Sequence, residues 1–137
     1  MEVLYTAIAE VKGGRQGHGR TADGHVAFEL SFPAELGGRG GGTNPEQLLA
    51  LAYAAGFGSA LDLEVRQLRL ELTEISVTSY VSLGHGDDGC YALAVKLEVR
   101  LPGVEALTAQ RLLRAAEEAC PYCRMGRGNI EFRIVLA

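Results

Sequence analysis

The sequence predicts an α+β fold in which antiparallel sheets surround one buried helix, in the order ββ-α-ββ-α-β. Three observations lead to this prediction. Residues 90–101 alternate apolar and polar side chains, as in a strand with one buried face. A helix predicted over residues 44–61 is apolar on every side from residue 48 onward, which requires burial all round. Residues 105–119 are amphipathic, as in a helix that lies against a sheet.

The first hairpin is predicted from residues 3–11 and 25–32. Residues 3–11 are short, apolar and partly β-branched or aromatic, whereas residues 25–32 alternate cleanly between apolar and polar side chains. Asp23 and Gly24 stand between them as a strong turn signal. The two segments are therefore expected to pair as antiparallel neighbours.

Glycines dominate residues 33–42, which predicts a flexible loop. No Gly-Lys-Ser/Thr follows, so a phosphate-binding loop is excluded. Thr43 or Asn44 can cap the next helix, and Pro45 suits its first turn. Glu46 stands three residues after Thr43, as in a capping box.

The second hairpin is predicted from strands at residues 72–83 and 90–101. The amphipathic helix over residues 105–119 is expected to end at Cys120 and Pro121, because proline cannot continue a helix. Alternating apolar residues then predict a last strand over residues 130–136. We find no repeat, so residues 1–137 are interpreted as a single domain.

Composition narrows the class of protein. The chain has 137 residues, 47% hydrophobic and 22% charged, which is ordinary for a soluble globular domain. A net charge of −4 argues against general nucleic-acid binding. The N-terminus lacks the pattern of a secretory signal, and no run approaches the roughly 18 apolar residues of a membrane helix. We expect a cytoplasmic protein with no membrane association.

Cys120 and Cys123 form a Cys-X-X-Cys motif, whose two sulfurs can cycle between dithiol and disulfide. The motif is predicted to close one helix and lead to a strand, and a helix C-terminus would raise a thiol pKa. Arg15, Arg124 and Arg127 are candidate cations that would oppose this effect. The alternative is two buried cysteines that serve only packing.

Cys90 is interpreted as an ordinary small residue at the start of a strand. An odd count of three cysteines does not indicate a structural disulfide framework. A zinc site from Cys90, Cys120, Cys123 and one histidine is arithmetically possible, but the spacing is not diagnostic. We predict neither a metal nor a cofactor. The candidate histidines are His18, His25 and His85.

Arg15 and Glu46 have ordinary roles available, as a turn arginine and a helix-capping residue. Together they could form a charge-assisted pair near a thiol, and such a pair would favour the thiolate.

Four groups of residues stand out along the chain: Leu4-Tyr-Thr-Ala7 with Gly13-Gly-Arg15; Glu35-Leu-Gly-Gly38 with Gly42-Thr-Asn-Pro-Glu-Gln-Leu48; Tyr53-Ala-Ala-Gly-Phe57; and Cys120-Pro-Tyr-Cys123 with Arg127-Gly-Asn-Ile130. Together and in register, they resemble the organic hydroperoxide resistance (Ohr) branch of the OsmC/Ohr family. The third group has glycine at position 56, where that branch has its reactive cysteine.

The resemblance implies the OsmC/Ohr-like fold, an intertwined homodimer with active sites at its interface, and reduction of organic hydroperoxides. In that chemistry a peroxidatic thiolate becomes a sulfenic acid, a resolving thiol captures it as a disulfide, and a lipoyl-type dithiol reduces the disulfide. By this resemblance Arg15 and Glu46 activate the thiolate and Cys120 is the resolving cysteine. The helix that is apolar on every side independently favours a dimer.

Gly56 leaves several interpretations open, because glycine supplies no nucleophile. Cys120 and Cys123 can act as a relocated pair, with one thiol attacking and the other resolving. Cys120 can instead react weakly on its own, with an external thiol completing the cycle. A third interpretation is a pseudoenzyme that binds an apolar small molecule. The fourth is that Gly56 is an engineered substitution, although serine or alanine would be the commoner choice.

Overall fold

The computed structural model describes residues 1–72 and 74–137 and forms two compact units, Met1–Leu48 and Leu49–Ala137. Two three-stranded sheets and three helices make up the mixed α/β fold that the sequence predicts, while the single-domain interpretation stays a prediction. The helices and strands are β1 Ala9–Lys12, β2 His18–Thr21, β3 Ala27–Glu29, α1 Pro45–Gln67, β4 Ser76–His85, β5 Tyr91–Arg100, α2 Ala106–Ala119, α3 Pro121–Gly126 and β6 Glu131–Leu136.

The first unit contains a three-stranded antiparallel sheet in the order β1-β2-β3. A hairpin was predicted between residues 3–11 and 25–32, but strand β2 lies between them and pairs with both. Gly17 and Gly19 flank or interrupt β2, and glycine weakens a strand pattern. A real strand was therefore mistaken for a turn.

Helix α1 begins with a reciprocal cap. The Asn44 Oδ1 atom accepts a hydrogen bond from the Gln47 backbone N–H at 2.9 Å, and Gln47 Oε1 accepts one from the Asn44 N–H at 3.3 Å. The predicted cap at Asn44 is confirmed, but the capping box from Thr43 to Glu46 is wrong. In a capping box the third helical residue bonds back to the cap. The first helical residue is Pro45, so the third is Gln47, and the Glu46 side chain is free to bond elsewhere.

In the second unit, α1 is buried along one side only. Its buried residues recur every four positions, at Tyr53, Phe57, Leu61 and Val65, while Leu51 is 68% exposed. Within a single chain the helix is therefore not covered on every side, and the partner subunit invoked to cover the rest stays a prediction. The helix also extends to Gln67, beyond the predicted end at residue 61.

Length and composition alone would let α1 cross a membrane, since an 18-residue window has a mean hydropathy of 1.4. The core helix of a soluble protein passes the same test, so this property is weak evidence.

The second sheet has the order β4-β5-β6. Strands β4 and β5 form the predicted antiparallel hairpin, with Val81 opposite Val95. Strand β6 runs parallel to β5, with Val95 opposite Phe132, so the antiparallel prediction is wrong for this strand. Two helices separate β5 from β6, and a helical crossover returns the chain in the same direction. The predicted strand at 72–83 includes residue 73, which lies outside the described residues.

Helices α2 and α3 meet at Cys120. The Cys120 N–H donates to the Ala116 carbonyl at 2.9 Å and ends α2 as predicted. A second helix, α3, then begins at Pro121, although the sequence predicted a direct passage to the last strand. Proline is favoured at a first helical position because it lacks the N–H that would be unpaired there. The Cys-X-X-Cys motif therefore opens a short helix as well as closing a long one.

Candidate functional site

Arg15 and Glu46 form a two-pronged ion pair in the first unit, hereafter the charge pair. The Arg15 Nη1 atom donates to Glu46 Oε2 at 2.9 Å, and Nη2 donates to Oε1 at 2.6 Å. The guanidinium carbon also lies 5.7 Å from the centre of the Phe32 ring. The predicted charge-assisted pair is thus confirmed as a geometry, and its catalytic role stays a prediction.

Local backbone geometry holds Arg15 in place. Gly13 and Gly14 have φ angles of 82° and 55°, a region that glycine occupies without strain. They lead into a single 3₁₀ turn, Gly14–Gln16. On the other side of the pair, hydrogen bonds from Arg15 hold the pKa of Glu46 below its ordinary value, so this carboxylate stays charged.

Cys120 and Cys123 are buried side by side in the second unit. Both are free and 0% exposed. Burial raises the pKa of the Cys123 thiol strongly, and its hydrogen bond with Cys120 raises that pKa further. The charge of Glu117 acts in the same direction, whereas Arg127 opposes it. Of the three cations considered from sequence, Arg127 is thus a compensating charge for Cys123.

Gly56 lies beneath the ring of Tyr122. A β-carbon at position 56 would overlap the Cδ2 and Cε2 atoms of that ring and lie 3.3 Å from its Cγ. Glycine within a helix costs about 1 kcal/mol relative to alanine, so its presence needs a reason. Here the reason is space, because the aromatic residue between the two cysteines occupies the volume that a side chain at 56 would fill.

Tyr53 completes this cluster and was missed as a site residue from sequence. Its ring centre lies 6.1 Å from that of Tyr122 and 5.8 Å from that of Phe132. It precedes Gly56 by three residues, so the two share a helix face, which is the signal that could have found it. We call Tyr53, Gly56, Cys120, Tyr122 and Cys123 the thiol site.

A cavity of about 500 Å³ adjoins the thiol site. Asp62 and Arg66, part of its wall, form an ion pair at 2.8 Å. Of the described residues that line this cavity, none is a cysteine. The lining residues are Gly56, Ser59, Ala60, Asp62, Leu63, Arg66, Ala119, Pro121 and Tyr122.

Among the described residues, Cys90 and the candidate histidines do not form a metal site with the charge pair or with the thiol site. Cys90 is exposed and follows the turn after β4. Across residues 1–72 and 74–137, no group of three or more His, Cys, Asp or Glu side chains is arranged to hold a metal ion.

Comparison with known proteins identifies the family. A family model described as "OsmC-like protein" matches residues 38–135. An organic hydroperoxide resistance protein of Xanthomonas axonopodis pv. citri is 42% identical over 99% of this chain and 96% of its own length. A solved organic hydroperoxide resistance protein from Legionella pneumophila is 40% identical, with a TM-score of 0.93 over 99% of each chain.

A solved relative from Vibrio cholerae carries captopril in one of its active sites; it is 37% identical, with a TM-score of 0.93 over 99% of this chain and 94% of its own. These matches agree with the resemblance carried by the four groups of residues. The chain belongs to the OsmC/Ohr family, and its relatives include organic hydroperoxide resistance proteins.

Proposed function

We propose that this protein detoxifies organic hydroperoxides as a thiol-dependent peroxidase whose reacting pair is Cys120 and Cys123. Gly56 removes the nucleophile that the family resemblance assigns to that position, so the usual cycle needs another thiol. The observation that carries the proposal is the full burial of both free thiols of the Cys-X-X-Cys motif in one cluster. Adjacent thiols in one turn are positioned to close a short disulfide loop.

The reaction balances with these two thiols and one hydroperoxide. The Cys120 thiolate attacks an oxygen of the peroxide, the S–O bond forms, the O–O bond breaks, and the alcohol leaves with a proton. Cys123 then attacks the Cys120 sulfenic acid, the S–S bond forms, the S–O bond breaks, and water leaves. An external dithiol, lipoyl-type or other, reduces the disulfide by thiol–disulfide exchange.

Cys120 is the attacking thiol in this proposal because burial raises the pKa of Cys123. A thiol that keeps its proton is suited to the second step, where departing hydroxide removes it. Since Cys120 is fully buried, the proposed entry for the peroxide is the cavity beside Gly56, whose wall includes Pro121 and Tyr122.

The remaining parts of the proposal follow the family. Arg15 and Glu46 orient the peroxide and favour the thiolate in a homodimer that encloses the reaction. Exposed apolar side chains support a dimer, including Leu51 on α1 and Leu4 near the N-terminus, which is 89% exposed. The free cysteines fit a reducing, cytoplasmic setting. Sedimentation as a stable monomer at micromolar concentration would contradict the dimer.

Two cysteine variants test the dithiol cycle. Cys120→Ser should abolish consumption of cumene hydroperoxide, because the attacking sulfur is gone. Cys123→Ser should still consume about one equivalent and then stop, because the sulfenic acid has no partner. Cys90→Ser is the matched control and should retain full turnover. If neither Cys120→Ser nor Cys123→Ser changes peroxide consumption, the dithiol is structural and the enzyme proposal fails.

A second candidate function is the binding of an apolar small molecule without catalysis. The observation that favours it is the combination of Gly56 with two fully buried thiols beside a cavity. The Vibrio cholerae relative holds a small molecule in an active site, which supports ligand binding on this scaffold. Peroxide that protects the protein from thermal unfolding while leaving every cysteine reduced would select this candidate.

A further inference from the structure

The Tyr53 hydroxyl is the unexplained polar group of the thiol site. Tyr53 is 0% exposed, and among the described residues its hydroxyl has no hydrogen-bond partner. A buried hydroxyl without a partner destabilises a fold, and phenylalanine would fill the same space without that cost. An unpaired buried group in a native structure therefore asks for a specific reason.

Gly126, at the end of α3, shows that the fold makes room for this oxygen. A β-carbon at Gly126 would lie 2.8 Å from the Tyr53 hydroxyl oxygen. Gly126 does not belong to the glycines with positive φ, so backbone conformation does not require glycine there. The space that glycine leaves is filled by the hydroxyl, three residues after Cys123.

The Tyr53 hydroxyl lies in the same buried cluster as both sulfurs, against Gly126, which is one helical turn after Cys123. Burial raises the pKa of Tyr53, and the charges of Cys123 and Cys120 raise it further. Tyr53 therefore keeps its proton at neutral pH and is available as a donor. The charges that act on Cys123 from its surroundings are those of Glu117 on α2, which disfavours the thiolate, and Arg127, which favours it.

We propose that Tyr53 donates a hydrogen bond from its hydroxyl to whichever sulfur of the Cys120–Cys123 pair carries the negative charge. The inference rests on the dithiol chemistry proposed above. In the neutral pair the hydroxyl is unpaired; once a thiol loses its proton to water, the thiolate becomes the acceptor. A donor at this position offsets the burial that otherwise opposes charge on the sulfurs. The unpaired hydroxyl thus lowers the stability of the neutral protein, but it stabilises the thiolate that reacts.

The test is the alkylation of these two cysteines by iodoacetamide as a function of pH, followed by mass spectrometry. All proteins carry Cys90→Ser, because the exposed Cys90 thiol would react first. Tyr53→Phe should lower the rate at neutral pH about tenfold, since a hydrogen bond to a charged group contributes 1.5 kcal/mol or more. The pH profile should move to higher pH, while the melting temperature stays the same or rises.

Tyr80→Phe is the matched control, since the Tyr80 hydroxyl donates to Glu98 on the exposed face of the second sheet at 3.0 Å. It should leave the alkylation profile unchanged. Gly126→Ala provides a second variant, because its methyl group would displace the Tyr53 hydroxyl and should slow alkylation in the same direction. An unchanged pH profile in Tyr53→Phe overturns the inference. Because no peroxide is used, a shifted profile together with absent peroxidase activity would reject the proposed function and leave this inference standing.

Discussion

The two compact units differ in how far each matches the family pattern. In Met1–Leu48, the charge pair is formed by two short hydrogen bonds between Arg15 and Glu46. In Leu49–Ala137, glycine stands where the family resemblance places the nucleophile, and the Tyr122 ring covers it. The charge pair is formed, whereas in the thiol site the Tyr122 ring occupies the space that a side chain at position 56 would fill.

The difference is also electrostatic. Arg15 lowers the pKa of Glu46, so the first unit holds a stable carboxylate, while burial raises the pKa of Cys123, so the second holds a neutral thiol. The first unit stabilises a charged carboxylate, whereas burial in the second unit opposes a charged thiolate. In the account proposed above, a hydrogen bond from Tyr53 offsets that burial.

The largest expected effect is on activity. Gly56→Cys should raise the rate of hydroperoxide reduction about tenfold or more, because it restores a nucleophile at the position where the family resemblance places one. Gly58→Cys is the matched control on the same helix, where a β-carbon would meet only Val77 Cγ2 at 3.8 Å. Peroxide assays on both variants make the comparison. A folded Gly56→Cys protein no faster than Gly58→Cys would show that the nucleophile position has lost its chemistry.

The same pair of glycines tests the packing. Gly56→Ala should lower the free energy of unfolding by about 1–3 kcal/mol, because the methyl group collides with the Tyr122 ring. Gly58→Ala should raise it by up to about 1 kcal/mol, since alanine is the better helix former. Urea denaturation gives both values. In a Tyr122→Ala background the cost at position 56 should disappear; if it persists, Tyr122 is not the cause.

The charge pair should contribute about 1–2 kcal/mol of coupling in a double-mutant cycle of Arg15→Ala and Glu46→Gln. The folded pKa of Glu46 lies below its ordinary 4.5, so this stability is present above about pH 4.5 and is lost as pH falls through the folded pKa. Acid unfolding of Glu46→Gln should therefore lack this component. If the double-mutant cycle gives no coupling energy at neutral pH, the pair orients its two side chains without stabilising the fold.

The smallest effect concerns the start of α1. Asn44→Ala should cost about 1 kcal/mol of stability, because it removes the acceptor for the Gln47 N–H. Thr43→Ala should cost less, since its neighbour Asn44 provides the cap. Thermal unfolding of the two variants compares them. Equal losses would restore the capping role that the sequence suggested for Thr43.

Regular periodicity made most of the fold predictable. Strand β5 matches the alternating segment 90–101 to within one residue at each end, because its one buried face sets the pattern. Strand β2 was missed because its glycines carry no side-chain pattern. Helix α3 was missed because Pro121 was interpreted only as a helix end, although proline serves a helix start equally well.

Sequence motifs pointed to some residues of the candidate site. Contacts that arise only from tertiary packing could not be predicted. Arg15, Glu46, Gly56 and the two cysteines were singled out by motifs and by the family resemblance, and their catalytic roles stay predictions. The contact between Gly56 and Tyr122 joins residues 66 positions apart, and no local pattern reports it. The unpaired Tyr53 hydroxyl likewise follows from burial, which hydrophobic periodicity assigns without distinguishing tyrosine from phenylalanine.

The central claim is that Cys120 and Cys123 are a redox pair, and one measurement tests it directly. The protein is treated with one equivalent of cumene hydroperoxide, quenched with an alkylating agent, digested and analysed by mass spectrometry without reduction. The account predicts an intramolecular Cys120–Cys123 disulfide in stoichiometric yield, with Cys90 recovered as the alkylated thiol. Recovery of Cys120 and Cys123 as alkylated thiols, with the peroxide unconsumed, would contradict the claim and leave the binding function.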